Sequence, residues 1–181
     1  MFLITSIAML RERTSGTLER LMSLPLTKAA LLGGYAIAFG VLAAIQAAIV
    51  CTVGFTWLGL NATHGAWLVG FLAVGNALLG MALGLFASAF ARTEFQAVQF
   101  MPAIVFPQLL LCGLFVPRGA MAAPLRYTAD AFPLTYAFDA LSRATRPGPL
   151  TGRFALDVVV VIGATLAALA LGAATLRRRT P

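Results

Sequence analysis

Long apolar stretches separated by short polar ones dominate the chain. No Asp, Glu, Lys or Arg occurs from Ala29 to Ala91, a stretch too long for one membrane-spanning helix of about 20 residues. A polar, glycine-flanked turn at 59–65 divides this stretch in two. The pattern therefore predicts a helical hairpin with spans over 29–58 and 66–91.

Three further apolar runs differ in length. Residues 95–116 predict a span kinked by Pro102 and Pro107, because each proline leaves a carbonyl without its helical donor. Residues 158–176 predict a last span. Residues 1–10 are apolar but cover only half of a bilayer core. They are either the end of a span in a longer chain, which we favour, or a segment lying in the membrane interface.

Composition excludes a water-soluble protein. The 181 residues are 60% hydrophobic and 10% charged, with a mean hydropathy of +0.91, whereas soluble domains carry about 25% charged residues. Such high hydrophobicity also excludes intrinsic disorder. We expect an all-α integral membrane protein with one transmembrane domain, 1–181, and about four full transmembrane helices. The net charge of +7 fits basic flanks of membrane spans better than nucleic-acid binding, so no nucleic acid is expected.

The distribution of basic residues predicts the orientation. Because successive spans cross the membrane in opposite directions, three short segments at the ends of spans lie on the same side. Basic residues are densest in these segments: Arg11, Arg13, Arg20, Lys28, Arg92, Arg177, Arg178 and Arg179. The longer segment 117–157 on the other side carries five arginines, and the turn between Trp57 and Trp67 carries none. The first side is therefore expected to be cytoplasmic, and the C-terminus with it.

Two segments are too polar to span. Residues 11–28 predict a short amphipathic cytoplasmic helix, which either contacts a partner or lies on the lipid surface. Residues 117–157 contain several prolines and predict one or two short helices at the outer interface or dipping into the membrane, with an ordinary loop as the alternative. Pro133 suits the first turn of such a helix, in which Asp139 and Arg143 are spaced for an i,i+4 ion pair.

Small residues recur every four positions in the second span, at Gly80, Gly84 and Ser88. Such a stripe allows two helix backbones to approach closely, so we expect these residues to serve helix packing. Catalytic, cofactor-binding and metal-binding residues are not predicted. The chain has one histidine, His64, and its two cysteines fall within apolar runs.

Residues 11–21 carry the most specific motif of the chain, Arg-Glu-Arg-Thr-Ser-Gly-Thr-Leu-Glu-Arg-Leu. It resembles the "RE-R-x-x-GT-x-E-R-L" signature of type-2 ABC exporter permeases. Residues 91–96, 114–117 and 132–136 look like later segments of the same family, in the same order. The chain resembles drug-resistance permeases such as daunorubicin exporters, and Arg118 departs from the family pattern at the outer mouth.

The resemblance implies a coupling helix at about 12–24 that rests on a separate ATP-binding cassette ATPase. The residues implied in this contact are Arg13, Gly16, Thr17, Leu18, Glu19, Arg20, Leu21 and Met22. The family also implies short re-entrant helices and a bacterial cell-membrane complex of two permeases and two ATPases that exports drugs, lipids or polysaccharides. The permease itself would not be an enzyme. A complete family member has six spans, so this chain is expected to be truncated at its N-terminus.

Two other functions fit the residues. A non-transport membrane scaffold or assembly protein needs only the apolar helices. A secondary transporter is a third possibility, although no acidic or basic residue lies at the centre of any predicted span. Association with an ATPase would separate the exporter from both alternatives.

Overall fold

The computed structural model describes residues 1–23 and 27–175, and every regular element in those ranges is helical. This confirms the predicted all-α fold class. The α-helices are α1 (Phe2–Thr14), α2 (Thr17–Ser23), α3 (Lys28–Thr56), α4 (Ala66–Ser88), α5 (Glu94–Leu111), α6 (Ala123–Asp130), α7 (Pro133–Thr145) and α8 (Gly152–Thr175), with a 3-10 turn at Arg118–Ala120.

Three of the helices in the described ranges are long and apolar enough to cross a membrane. These are Gly33–Thr56 within α3, then Ala66–Ser88 and Gly152–Thr175. The first two form the hairpin expected from the charge-free stretch. The chain is therefore a multi-pass membrane protein whose second predicted span ends at Ser88 rather than at residue 91.

The expected span over 95–116 differs from the observed helix. Helix α5 covers only Glu94–Leu111, contains Pro102 and Pro107, and is not among the three helices that qualify as spans. Glutamine side chains lower its apolar character. The helix ends where Gly113 adopts a positive φ of 99°, a conformation that favours glycine and cannot continue an α-helix.

Helix α8 begins earlier than the predicted span. It starts at Gly152 instead of 158 and so includes Arg153 and Asp157 in its first turns. The predicted end of the span at 176 lies outside the described residues. The non-spanning segment 117–157 is correspondingly shorter and contains the 3-10 turn, α6 and α7.

The predicted division between residues 1–10 and a helix at about 12–24 is wrong by several residues. Helix α1 continues to Thr14, and α2 starts only at Thr17. The break falls at Gly16, whose φ of +76° is a left-handed conformation. Arg13 therefore belongs to the last turn of α1, not to the short helix that follows.

Helix α4 forms the centre of the bundle. It packs against α1, α3, α7 and α8. Its side chains Leu79, Met81 and Leu85 are almost completely buried. Helix α1 ends at one end of the bundle, beside α2, the start of α5 and the end of α4, and we call this the α2 end. The α3–α4 turn and helices α6 and α7 lie at the opposite end.

Helix α1 approaches α4 closely at Gly84. A Cβ atom at this position would lie 3.0 Å from the Phe2 Cα and would overlap the Phe2 carbonyl and the Thr5 hydroxyl. The Thr5 hydroxyl donates a hydrogen bond to the Met81 carbonyl at 3.2 Å. Gly80 faces the same turn of α1, with a would-be Cβ 3.8 Å from the Phe2 nitrogen. The structure thus places the predicted small-residue stripe within the chain, against α1.

Substitution of Gly84 by alanine is expected to force α1 away from α4. The added methyl group meets backbone atoms, which cannot rotate away, so we expect a loss of about 1–3 kcal/mol of stability. The measurement is the thermal unfolding midpoint of the purified protein in detergent, which should fall by several degrees.

Gly75 supplies the matched control on the same helix, because nothing lies within 4 Å of its would-be Cβ. Gly75→Ala should leave the midpoint unchanged or raise it slightly, since alanine favours helix over glycine. Equal midpoints for Gly84→Ala and Gly75→Ala would contradict the close packing.

Candidate functional site

The last turn of α1 carries three consecutive charged residues at the α2 end of the bundle. The first, Arg11, forms a two-pronged ion pair with Glu94 in the first turn of α5, with Nε–Oε1 at 2.7 Å and Nη2–Oε2 at 3.0 Å. Both side chains are exposed. The hydrogen bond from Arg11 lowers the pKa of the Glu94 carboxyl below its ordinary value. The pair joins α1 to α5.

The second charged residue, Glu12, contacts a different helix. Its Oε2 accepts a hydrogen bond from the hydroxyl of Tyr35 in α3. Both side chains are half-buried. A charged acceptor strengthens such a bond, and burial protects it from competition by water. This contact joins α1 to α3.

The third charged residue, Arg13, turns inward. Its Nη1 donates to the Ser88 carbonyl oxygen at 2.8 Å. Ser88 is the last residue of α4, where carbonyl groups lack helical donors and the helix dipole is negative. The Ser88 hydroxyl donates to Leu85 of its own helix at 2.6 Å. The resemblance implied an ATPase contact for Arg13, whereas the structure places its guanidinium group against α4.

Helix α2 follows directly and carries the other residues implied in the ATPase contact. Its first residue, Thr17, has its hydroxyl 2.9 Å from that of Ser15 across the break at Gly16. Arg20 is exposed and Leu21 is half-buried. The side chains of Leu18, Glu19 and Met22 lie outside the described part of the structure, as do residues 24–26. The exposed part of α2 remains a candidate docking surface.

Arg118 organises the segment between α5 and α8. Its Nη1 pairs with Asp139 Oδ2 of α7 at 2.7 Å, and its Nη2 pairs with Asp130 Oδ1 of α6. The side chains of Arg118 and Asp139 are each only 19% exposed. The Thr135 hydroxyl donates to the Ala129 carbonyl at 2.7 Å and closes the corner between the two helices. The segment is therefore a packed pair of short helices, and the alternative of an ordinary loop is wrong.

The expected pair between Asp139 and Arg143 is replaced by contacts between helices. Arg143 Nε lies 3.3 Å from Asp157 Oδ2 of α8, and Asp139 pairs with Arg118 instead. Asp157 is fully buried and also lies 3.8 Å from Arg153 Nε. Asp157 is more deeply buried than Asp139, and opposite charges attract more strongly where water is excluded. Asp157 does not stand out in the sequence, because the predicted span begins at residue 158, directly after it.

The α3–α4 turn docks on the end of α7. His64 Nε2 lies 2.7 Å from the Gly148 carbonyl oxygen, and the Thr63 hydroxyl donates to the Thr145 carbonyl at 3.0 Å. Trp57 and Trp67 flank this turn and are both highly exposed. Exposed indole rings at the same end of two spans are typical of a membrane interface.

A cavity of about 450 Å³ lies between the tip of α1 and helices α3, α4, α5 and α7. Its wall is mostly apolar but includes the amides Gln46, Asn76 and Gln108. The buried Gln108 donates from Nε2 to the Ile104 carbonyl at 3.0 Å. Sequence reasoning missed these amides because it searched the spans only for charged groups. Amide side chains inside apolar runs were the signal that could have found them.

The apolar spanning helices, with a short exposed helix at one end of the bundle, define a multi-pass helical membrane protein. Residues 1–144 match the family model described as ABC-2 type transporter. Because this match covers most of the chain, the protein belongs to the ABC-2 type transporter family.

Named relatives agree with this assignment. The chain is 25% identical over 138 residues to "ABC transporter G family member 20" of Dictyostelium discoideum, covering 76% of this chain and 19% of that protein. It is 29% identical over 147 residues to "Probable multidrug ABC transporter permease YbhR" of Escherichia coli K12, covering 76% and 40%. It is 24% identical over 178 residues to "Probable multidrug ABC transporter permease YbhS" of the same strain, covering 98% of this chain and 47% of that protein. The chain thus spans less than half the length of these relatives.

Loss of the Arg118 side chain should loosen the pair α6–α7. Arg118→Ala leaves the half-buried Asp139 without its cation, at a cost of about 1–3 kcal/mol in local stability. Amide hydrogen exchange in residues 118–145 should therefore become about tenfold faster. Exchange in α4 should not change.

Arg126→Ala is the matched control, because Arg126 is exposed on α6. Its exchange pattern should match that of the unmodified protein. If both variants exchange alike, the ion pairs of Arg118 do not hold the two helices together.

Proposed function

We propose that this chain is part of the membrane-spanning permease subunit of an ATP-driven exporter. A separate ATP-binding cassette ATPase would supply the energy, and the permease would provide the path for an amphipathic substrate such as a drug, a lipid or a polysaccharide. The observation that carries this proposal is α2. It is a seven-residue helix set off from α1 by Gly16 and exposed at the end of the bundle.

Helix α2 is suited to receive a force from a partner. It is too short to be stable alone, so its position depends on what it packs against. Gly16 allows the backbone to turn sharply between α1 and α2. The proposed ATPase contact is Thr17 to Met22, with Gly16 as the turn that presents it, and Arg13 is reassigned to the interior of the bundle. A groove on the ATPase would take the apolar residues of α2.

The proposed substrate class rests on the relatives, and the proposed direction rests on the exporter family that the motif of residues 11–21 resembles. Both Escherichia coli proteins carry the word "multidrug" in their names. Apolar helices in contact with membrane lipids would suit an amphipathic cargo entering from the bilayer. A second copy of the permease is proposed to complete the path, as in the family that the motif of residues 11–21 resembles.

The proposed location is the cell membrane of a bacterium, with the α2 end facing the cytoplasm. Arg11, Arg13, Arg20 and Arg92 all belong to this end, and short cytoplasmic segments collect basic residues. Helix α8 runs from the opposite end towards the α2 end, which supports a cytoplasmic C-terminus. Arg177 to Arg179, which also support this orientation, lie outside the described residues.

The alternative functions have less support. A secondary transporter generally needs ionisable groups along its path. The described spans carry Arg153 and Asp157 in the first two turns of α8, and neither lies at a span centre. A scaffold or assembly function would not explain why a short helix that carries part of the family motif is exposed.

The ATPase contact is tested by Glu19→Arg combined with Leu18→Asp. The experiment is a pull-down of the cognate ATPase with the full-length permease. The amount of ATPase bound by the double variant should fall at least about tenfold, because the docking contact loses the apolar side chain of Leu18 and the charge of Glu19. ATP-dependent efflux of ethidium from cells should fall in parallel. Membrane insertion should be unchanged, since neither residue belongs to a span.

Arg92→Glu is the control for this test, because it also reverses one charge on the same side of the bundle and lies outside α2. It should retain both binding and efflux. Undiminished ATPase binding by the double variant would contradict the proposed contact and favour a helix that lies on the lipid surface.

The orientation is tested by single cysteines at positions 64, 92 and 126, in a protein whose Cys51 and Cys112 are replaced by alanine. An impermeant thiol reagent added to intact cells should label positions 64 and 126. Position 92 should react only after the membrane is opened. Labelling of positions 64 and 92 from the same side would contradict the hairpin formed by α3 and α4.

A further inference from the structure

We propose that Arg11, Glu12 and Arg13 form a three-way clamp that makes α1 and three other helices move with α2. This inference rests on the proposed function, since it concerns how a force applied to α2 reaches the spans. It assigns these residues a positioning role inside the permease, instead of contact with the ATPase.

The geometry of a helix explains why three neighbours can serve three helices. Successive side chains of an α-helix point about 100° apart, so three in a row project in three directions. Arg11 reaches Glu94 of α5, Glu12 reaches Tyr35 of α3, and Arg13 reaches the Ser88 carbonyl of α4. Each contact lies near the end of its target helix on the α2 side.

These contacts close a ring around the end of α1. Helix α3 is the element that follows α2 along the chain, and residues 89–93 alone connect α4 to α5. A displacement of α2 is applied to α1 through Ser15 and Gly16. The clamp then passes it to α3, α4 and α5 at once. The hydrogen bond from Thr5 to the Met81 carbonyl holds the first turns of α1 against α4. The clamp adds directed hydrogen bonds at the other end of α1, next to α2, where they resist sliding more than apolar packing does.

The exposure of the Arg11–Glu94 pair is informative. Exposed ion pairs contribute little to folding stability, so this pair is not needed to hold the fold. The two parallel hydrogen bonds between guanidinium and carboxylate do, however, define orientation closely. A contact of this kind can be removed without unfolding the protein, which makes its mechanical role accessible to experiment.

The test uses the full-length permease with its cognate ATPase and three variants: Arg11→Glu, Glu94→Arg and the two combined. A fluorophore on a single cysteine at position 115, four residues beyond the end of α5, reports movement when ATP binds. The background carries Cys51→Ala and Cys112→Ala. Phe115 is exposed, so the label should not disturb the core.

Each single variant should still retain the ATPase in a pull-down and still hydrolyse ATP. The fluorescence response at position 115 should fall about two- to thirtyfold, the range found when residues along a coupled network are changed. The combined variant should recover most of the response, because it re-forms the ion pair in reverse. Recovery should be incomplete, since Glu94→Arg puts a positive charge in the first turn of α5. A purely structural role would lower ATP hydrolysis and the response together.

Arg92→Glu is the matched control and should keep the full response. If Arg11→Glu fails to reach the membrane, Tyr35→Phe replaces it, because it removes only one hydroxyl group, and it should lower the response while ATP hydrolysis continues. A full response in Tyr35→Phe and in Arg11→Glu, or no recovery in the combined variant, would overturn the clamp. Failure of the unmodified permease to bind the ATPase would instead contradict the proposed function.

Discussion

The close approach of α1 to α4 at Gly84 is the contact on which the rest of the structure depends. The absence of a side chain at Gly84 lets the first turn of α1 lie directly on α4, where Thr5 donates to the Met81 carbonyl. This contact sets how far α1 extends along α4. Three turns later, the same placement brings Arg13 to the end of α4 and Arg11 to the start of α5. The position of α2 follows from it, because only two residues separate α1 from α2.

The two ends of the bundle use charge in different ways. At the α2 end, the Arg11–Glu94 pair is exposed and orients helices without contributing much to stability. At the opposite end, Asp139 is half-buried and Asp157 fully buried, so breaking their pairs leaves a charge with little access to water. Loss of an ion pair at the opposite end should therefore cost more folding stability than loss of the exposed Arg11–Glu94 pair.

Arg118 shows how a departure from a family pattern acquires a structural meaning. From the sequence, an arginine at this position bears only on the chemistry of the outer mouth. In the structure, its guanidinium group is bound by Asp130 and Asp139 and joins α6 to α7. Its charge is therefore balanced within the protein, and the surface it presents is less basic than the sequence suggests.

The class of the protein and most of its helices follow from the sequence alone. The stretch from Ala29 to Ala91 carries no charged residue, which is typical of membrane-spanning helices because a charge is costly to insert into the bilayer whatever the fold. The motif of residues 11–21 likewise indicates the family without any knowledge of packing. The partners of Arg13, Asp139 and Arg143, by contrast, depend on how the helices pack. Spacing along one helix identifies neighbours on that helix, whereas a long arginine side chain binds the strongest acceptor within reach, and packing decides which helix supplies it.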